Sequence, residues 1–210
     1  MTTAPLVTSA VEAFQRYSDF KAADRLTQGA FHVKRDGRQL ACALGVLGDA
    51  VRDPDDCPAA IMPRWLAQMV PGFFDRQKPA DAFAWGERFY AALARIDGKV
   101  PFSVVHDWHA NTVTVLGMEA AEKRGQDTAP HKALQALHQR ALGGEKISAG
   151  EWCSVLRNAD ADADAEAYAH AYDAYAYAHA DADADADEAY AYAWKRLADG
   201  MVDALDRVAA

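Results

Sequence analysis

No lysine or arginine occurs between Arg157 and Lys195, and neither glycine nor proline occurs between Gly150 and Gly200. The first absence excludes a phosphate-binding surface on that stretch, because such surfaces neutralise phosphates with lysine and arginine. The second removes the residues that usually mark a hinge. No apolar run approaches the roughly 18 residues a membrane span needs. The opening MTTAPLVTSA lacks the basic start and long apolar stretch of a secretory signal. The expectation is a cytoplasmic protein that does not enter a membrane. Cysteine is scarce: Cys42, Cys57 and Cys153 are odd in number and lack CxxC spacing. They argue against a disulfide framework or zinc ribbon and for thiols kept in a reducing compartment. A Gly-rich phosphate loop, a GxSxG elbow and an HExxH pair are also missing, so neither an enzyme nor a cofactor is expected.

What the chain does have is an acidic, alanine-alternating tract. Ten acids lie between Asp160 and Glu188, out of 31 in the chain, which leaves 21 acids against 22 lysines and arginines elsewhere. The net charge of -9 therefore resides in the tract, and the body is neutral. The chain divides by charge into a helical body, 1–147, and an acidic alanine-rich helical extension, 148–210.

A strand would place residues of one parity on one face. Tyr168, His170 and Tyr172 are even-numbered, whereas Tyr175, Tyr177 and His179 are odd-numbered, so a strand would split the aromatic set. A helix keeps it together: from Tyr168 through Tyr172, Tyr175, His179, Ala182, Ala186, Tyr190, Trp194, Leu197, Met201 and Leu205 to Val208 the stripe takes eleven steps over 40 residues. That is the helical period. Alanine is the best helix former, and alanine and aspartate are both depleted in strands. Like charges four apart, as in Asp181/Asp185 and Asp183/Asp187, oppose the helix by about 0.2–0.5 kcal/mol per pair. One unbroken helix from Gly150 to about Val208 would measure about 90 Å, against a radius of gyration of about 17 Å for a compact chain of this length. It therefore projects or breaks.

Elsewhere the periodicity predicts helices at about 8–26, 40–51, 80–96, 104–121 and 130–142. A short helix opened by Pro63 is expected to end at Pro71-Gly72. Asp36-Gly37 is turn chemistry, for a small hairpin near 30–42 or for a loop entering the next helix. Ser148 three residues before Glu151 has the spacing of a capping box. The fold class expected is all-α: a multi-helix globular body with a long Ala/Asp/Tyr-rich C-terminal helix, continuous or broken, and at most that hairpin.

Candidate chemistry is sparse. Asp160, Asp162 and Asp164 begin like a calcium loop, but Ala165 stands where its glycine is required and Ala171 where its glutamate is. His106 and His109, three apart on a helix, would make a metal set with His131 or His138. With no third ligand at fixed spacing, surface imidazoles beside a buried Trp108 are the plainer reading, and no metal is assigned. His170 and His179 would sense pH if paired with aspartates.

The layout LACALGVLGDAVRDPDDCPAAIMPRWLAQMVPGFFD, followed by AFAWGERFYAAL, a tryptophan-bearing helix and an alanine-rich C-terminal tract, resembles a poorly characterised group of phage and bacterial immunity proteins. CPAAIMPRWLAQ is its firmest piece. The resemblance implies an inhibitor that neutralises another protein, and it brings no catalytic residue. The aspartate-tyrosine alternation departs from the tracts of that group, which carry serine, arginine or tryptophan among the alanines.

The expected function is a non-catalytic cytoplasmic protein that sequesters or inhibits a partner protein with a basic surface. Tyr168, Tyr172, Tyr175 and Tyr190 would act as aromatic anchors, and Asp181, Asp183, Asp185 and Asp187 as steering charges. Direct nucleic-acid binding is not expected. Two alternatives stand beside this. An acid on every second helical residue gives one charge per roughly 3 Å, near the 3.4 Å phosphate spacing of a DNA strand, so the tract would mimic a nucleic acid and block an enzyme that binds one. Alternatively, the tyrosine stripe would pair with its own copy in a structural homo-oligomer.

Overall fold

A computed structural model describes residues 4–160 and 186–209. Among these residues helix predominates and the one sheet is a two-stranded antiparallel hairpin, in keeping with the all-α class expected. It forms two compact units, Met1–Pro101 with Leu205–Ala210, and Phe102–Ala204. The division at 147/148 is one of charge and composition.

In the first unit, α1 (Ala10–Ala22) begins at Ser9, whose hydroxyl accepts from the Glu12 amide and so satisfies one of the free donors of the first turn. α1 buries Ala10, Ala13 and Tyr17 in a core shared with α3 (Pro79–Arg95), which contributes Trp85, Phe89, Tyr90 and Leu93. The Tyr17 and Tyr90 rings lie 5.2 Å apart, and Trp85 stacks on Phe89 at 4.8 Å. Tyr90 is fully buried, and its hydroxyl donates to the Ala43 carbonyl at 2.7 Å. That bond avoids the cost of an unpaired buried hydroxyl.

Strands β1 (His32–Arg35) and β2 (Arg38–Ala41) pair around Asp36-Gly37, both at positive φ, 50° and 77°. This is the geometry of a primed two-residue turn, and it settles the alternatives for this segment in favour of the hairpin.

Two expectations in this unit are corrected. The helix expected over Leu40–Val51 is absent: after β2 only one 3-10 turn forms, Gly45–Leu47. The Ala41 and Cys42 amides donate to the Arg25 and Phe31 carbonyls, so this backbone is spent on long-range pairing. Residues 40–48 are buried throughout, leaving no polar face to set a helical period. Second, α2 (Arg64–Asp75) runs through Pro71 instead of ending there. Proline removes the bond to the Ala67 carbonyl, yet Leu66, Val70, Phe73 and Phe74 continue one buried stripe. Burial of the two phenylalanines outweighs one missing hydrogen bond.

In the second unit, the segment expected as one helix over 104–121 is α4 (Ser103–Trp108), a π turn (His109–Val113) and α5 (Thr114–Lys123). The buried step from Trp108 to Val113 is five residues long, and the wider turn absorbs the extra residue. α6 (Ala129–Leu142) buries Leu134, Leu137 and, unexpectedly, His138. α7 (Ala149–Asp160) starts with the Glu151 amide donating to Ser148 Oγ at 3.2 Å. The Glu151 carboxylate meets the Arg140 guanidinium, where a full capping box would turn it back to the Ser148 amide.

The last helix, α8 (Ala186–Ala209), carries the described part of the aromatic stripe. Trp194, Leu197, Met201 and Leu205 are buried, whereas Val208 is exposed. Residues 161–185, the middle of the expected long helix, lie outside the described residues.

Gly86 faces the first-unit core so closely that an added Cβ would sit 2.2 Å from Tyr17 Oη and 2.4 Å from its Cζ. Tyr17 has no exposed surface into which to retreat. Gly86→Ala is therefore expected to destabilise the protein by about 2 kcal/mol through overpacking, measured as a lower urea midpoint with unchanged slope. An exposed glycine such as Gly125 replaced by alanine is not the comparison to use, because its φ of 67° adds strain of its own.

Candidate histidine cluster

The π turn does more than accommodate an extra residue. It points His109, and with it His106 one turn earlier, toward α6. The wide turn loosens the carbonyls of His109 and Ala110, and neighbours take them up. Thr114 Oγ1 donates to His109 O at 2.9 Å and lies 3.3 Å from Ala110 O, and Gln135 Nε2 donates to Ala110 O at 2.8 Å. Trp108 Nε1 donates to the Leu197 carbonyl of α8 at 2.9 Å, in the buried interior of this unit. That bond fixes the rotation of α4 and hence the direction of its histidines.

His138 of α6 meets both imidazoles. Its ring stacks on His109 at 4.5 Å with 7° between planes, and its Nδ1 lies 3.1 Å from His106 Nδ1. Trp152 of α7 closes the group, parallel to His106 at 5.7 Å and edge-on to His138 at 4.9 Å. Phe102 stands perpendicular to His106 at 5.5 Å. His109 Nδ1 is buried without a hydrogen-bond partner. An imidazolium would carry N–H donors on both nitrogens, and at this position one of them would be unsatisfied.

These surroundings hold the rings neutral. Burial, reinforced by His106, pushes His109 down to about 4. Burial, then His109 and His106, pushes His138 down to about 3. His106 is also lowered, by burial. The expectation of surface imidazoles is thus corrected for His138, which is buried, while Trp108 is buried as expected. Of the two candidates for a third imidazole, His138 is the one that joins. Among the described residues no group of three or more histidine, cysteine, aspartate or glutamate side chains is disposed to share a metal ion.

The residues expected to contact a partner fall mostly elsewhere. Tyr168, Tyr172, Tyr175, Asp181, Asp183 and Asp185 lie outside the described residues, as do His170, His179, Asp162 and Asp164. Asp187 belongs to the first turn of α8. Tyr190 is half-buried on α8, edge-on to Trp194 at 6.3 Å. Tyr192, absent from the expected set, is 60% exposed. The alternation that identifies the tract continues through Tyr192 and would have included it.

Compared with protein-family models, curated proteins and solved structures, the chain matches none.

The histidine pattern has a solution signature. In a proton NMR titration, the rings of His109 and His138 stay neutral at pH 5.5 and titrate only below the ordinary 6.5. Both native pKa values lie below the unfolded one, so their contribution to stability is complete above pH 6.5 and is lost as pH falls toward 4 and then 3. The unfolded state binds more protons in that interval, and stability decreases by up to about 1.4 kcal/mol per pH unit for each group. Urea unfolding at a series of pH values measures the slope.

Proposed function

We propose that this chain is a non-catalytic cytoplasmic binding protein that sequesters or inhibits a partner protein with a basic surface, of the immunity or anti-defence type. The observation that carries the reading is the separation of charge. Ten acids with no intervening base occupy one stretch of a chain whose remainder is balanced. Such a stretch raises the local concentration of a basic partner and speeds its encounter.

The described helices support this use. α7 leads into the stretch and α8 leads out of it, the latter held by Trp194, Leu197 and Met201, all buried. Tyr192 is exposed and Tyr190 half-buried at that end, which is where aromatic anchors would complement the charges. The same burial disfavours the homo-oligomer alternative for this part of the stripe, since its apolar residues already face the chain's own interior. No helix among the described residues is long and apolar enough to cross a membrane. The three free cysteines suit a reducing compartment.

The test uses substitutions, because truncation after α7 would remove the core residues of α8. One full-length variant carries asparagine or glutamine at the ten acids, and a second carries alanine at Tyr168, Tyr172, Tyr175 and Tyr190. A partner captured from host lysate by the unaltered chain is expected to associate at least tenfold more slowly with the first variant. It should dissociate faster from the second, with a loss of about 2 kcal/mol. Equal affinity for all three chains would overturn the reading. A steep salt dependence of a captured nucleic-acid enzyme, with no effect of the tyrosines, would replace it by nucleic-acid mimicry.

A further inference from the structure

We propose that His106, His109 and His138 form an acid-operated latch that holds α7 against α6 at neutral pH and releases it when protons enter the cluster. This inference stands apart from partner binding and survives its failure.

The geometry of the His106–His138 contact sets the limit on protons. Two Nδ1 atoms 3.1 Å apart accommodate one hydrogen between them, with one ring donating and the other accepting. A proton added at the outer nitrogen of the donating ring leaves that bond intact. A proton added to the accepting ring must occupy its Nδ1, where it faces a second N–H across the same gap and places two positive rings in contact. His109, stacked on His138 at 4.5 Å, would add a third charge on the other side of the same ring. The closed arrangement therefore has room for at most one added proton on this pair, and further protons favour an arrangement in which the rings separate.

The element that can yield is α7. Among its described side chains none is fully buried, whereas α6 and α8 bury Leu134, Leu137, Trp194, Leu197 and Met201. α7 is held through Trp152, which lies on His106 and His138, and through Glu151 on the Arg140 guanidinium. An element with so little buried apolar surface belongs to the part of a protein that opens at low free-energy cost. Separating the rings removes the platform on which Trp152 sits.

Among the described residues, most charged groups on the surrounding elements engage partners of their own. On α4, Asp107 accepts from Asn111 at 3.2 Å. On α5, Glu119 pairs with Arg196, and Glu122 and Lys123 follow in its last turn. On α6, Arg140 engages Glu145 and Glu151, Lys132 is exposed and His131 half-buried. On α7, Arg157 donates to the Cys153 carbonyl. On α8, Lys195 pairs with Asp199. Among the described residues, the charges that lower His109 and His138 are those of the neighbouring imidazoles.

Cys153 offers a reporter on α7: it is exposed, whereas Cys42 is buried and Cys57 is pushed up to about 12 by burial. A fluorophore on Cys153 of the full-length Cys57→Ser chain should show a fall in anisotropy as pH is lowered from 7.5 to 4.5. The released fraction should rise about tenfold per pH unit for each extra proton taken up. His138→Phe, which keeps a ring in place, should move the midpoint down by at least one pH unit, whereas Glu151→Gln should leave its pH dependence in place. A label that stays immobile to pH 4.5, or a midpoint unchanged in His138→Phe, overturns the latch. If His138→Phe does not fold, NMR of the unaltered chain decides. Coincident midpoints for ring protonation and Cys153 release support the latch, and separated midpoints overturn it.

Discussion

The hydrogen bond from Trp108 Nε1 to the Leu197 carbonyl, 2.9 Å long and buried, is the contact on which the second unit turns. An indole N–H removed from water needs an acceptor. By taking one from α8, Trp108 fixes α4 in rotation. The helix widens at His109–Val113, immediately after this tryptophan. Once the indole is anchored and Val113 must also face inward, a five-residue interval has to fit one turn. The π turn is the consequence, and Thr114 and Gln135 take up the carbonyls it loosens.

From that constraint follows the placement of the histidines. His106 and His109 face α6 because Trp108 between them faces α8. His138 is then enclosed by two imidazoles and an indole, where a charged ring would lose hydration. Burial favours the neutral rings. The cluster holds α7, the least buried of the neighbouring helices, by aromatic contact and one ion-pair network at the protein surface. Exposed pairs of that kind contribute little by themselves, so the aromatic contacts carry most of the docking of α7.

The acidic tract and the histidine cluster meet at α7. One end of that helix packs through Trp152, and the other leads into the stretch that holds the chain's excess charge. A partner drawn by the acids and a change in the state of the imidazoles would therefore act on the same helix.

Much of the fold was written in periodicity. α1, α3, α6 and the stripe Trp194–Leu205 could be read from apolar spacing, and the hairpin was legible as one of two outcomes of Asp36-Gly37, since these signals are local. The 3-10 turn at Gly45–Leu47 and the passage of α2 through Pro71 were not legible. In each, long-range burial or backbone pairing to distant carbonyls outweighed the local preference. The candidate site was half legible: His106 and His109 announce themselves by their spacing. His138 and Trp152 are 29 and 43 residues beyond His109 in the sequence, and only the packing of α6 and α7 brings them to it. The sequence alone determined the charge division and the helical class, because both follow from composition and period. Which imidazoles share a proton was decided by tertiary structure, because that depends on distances of a few ångströms between elements that no local rule connects.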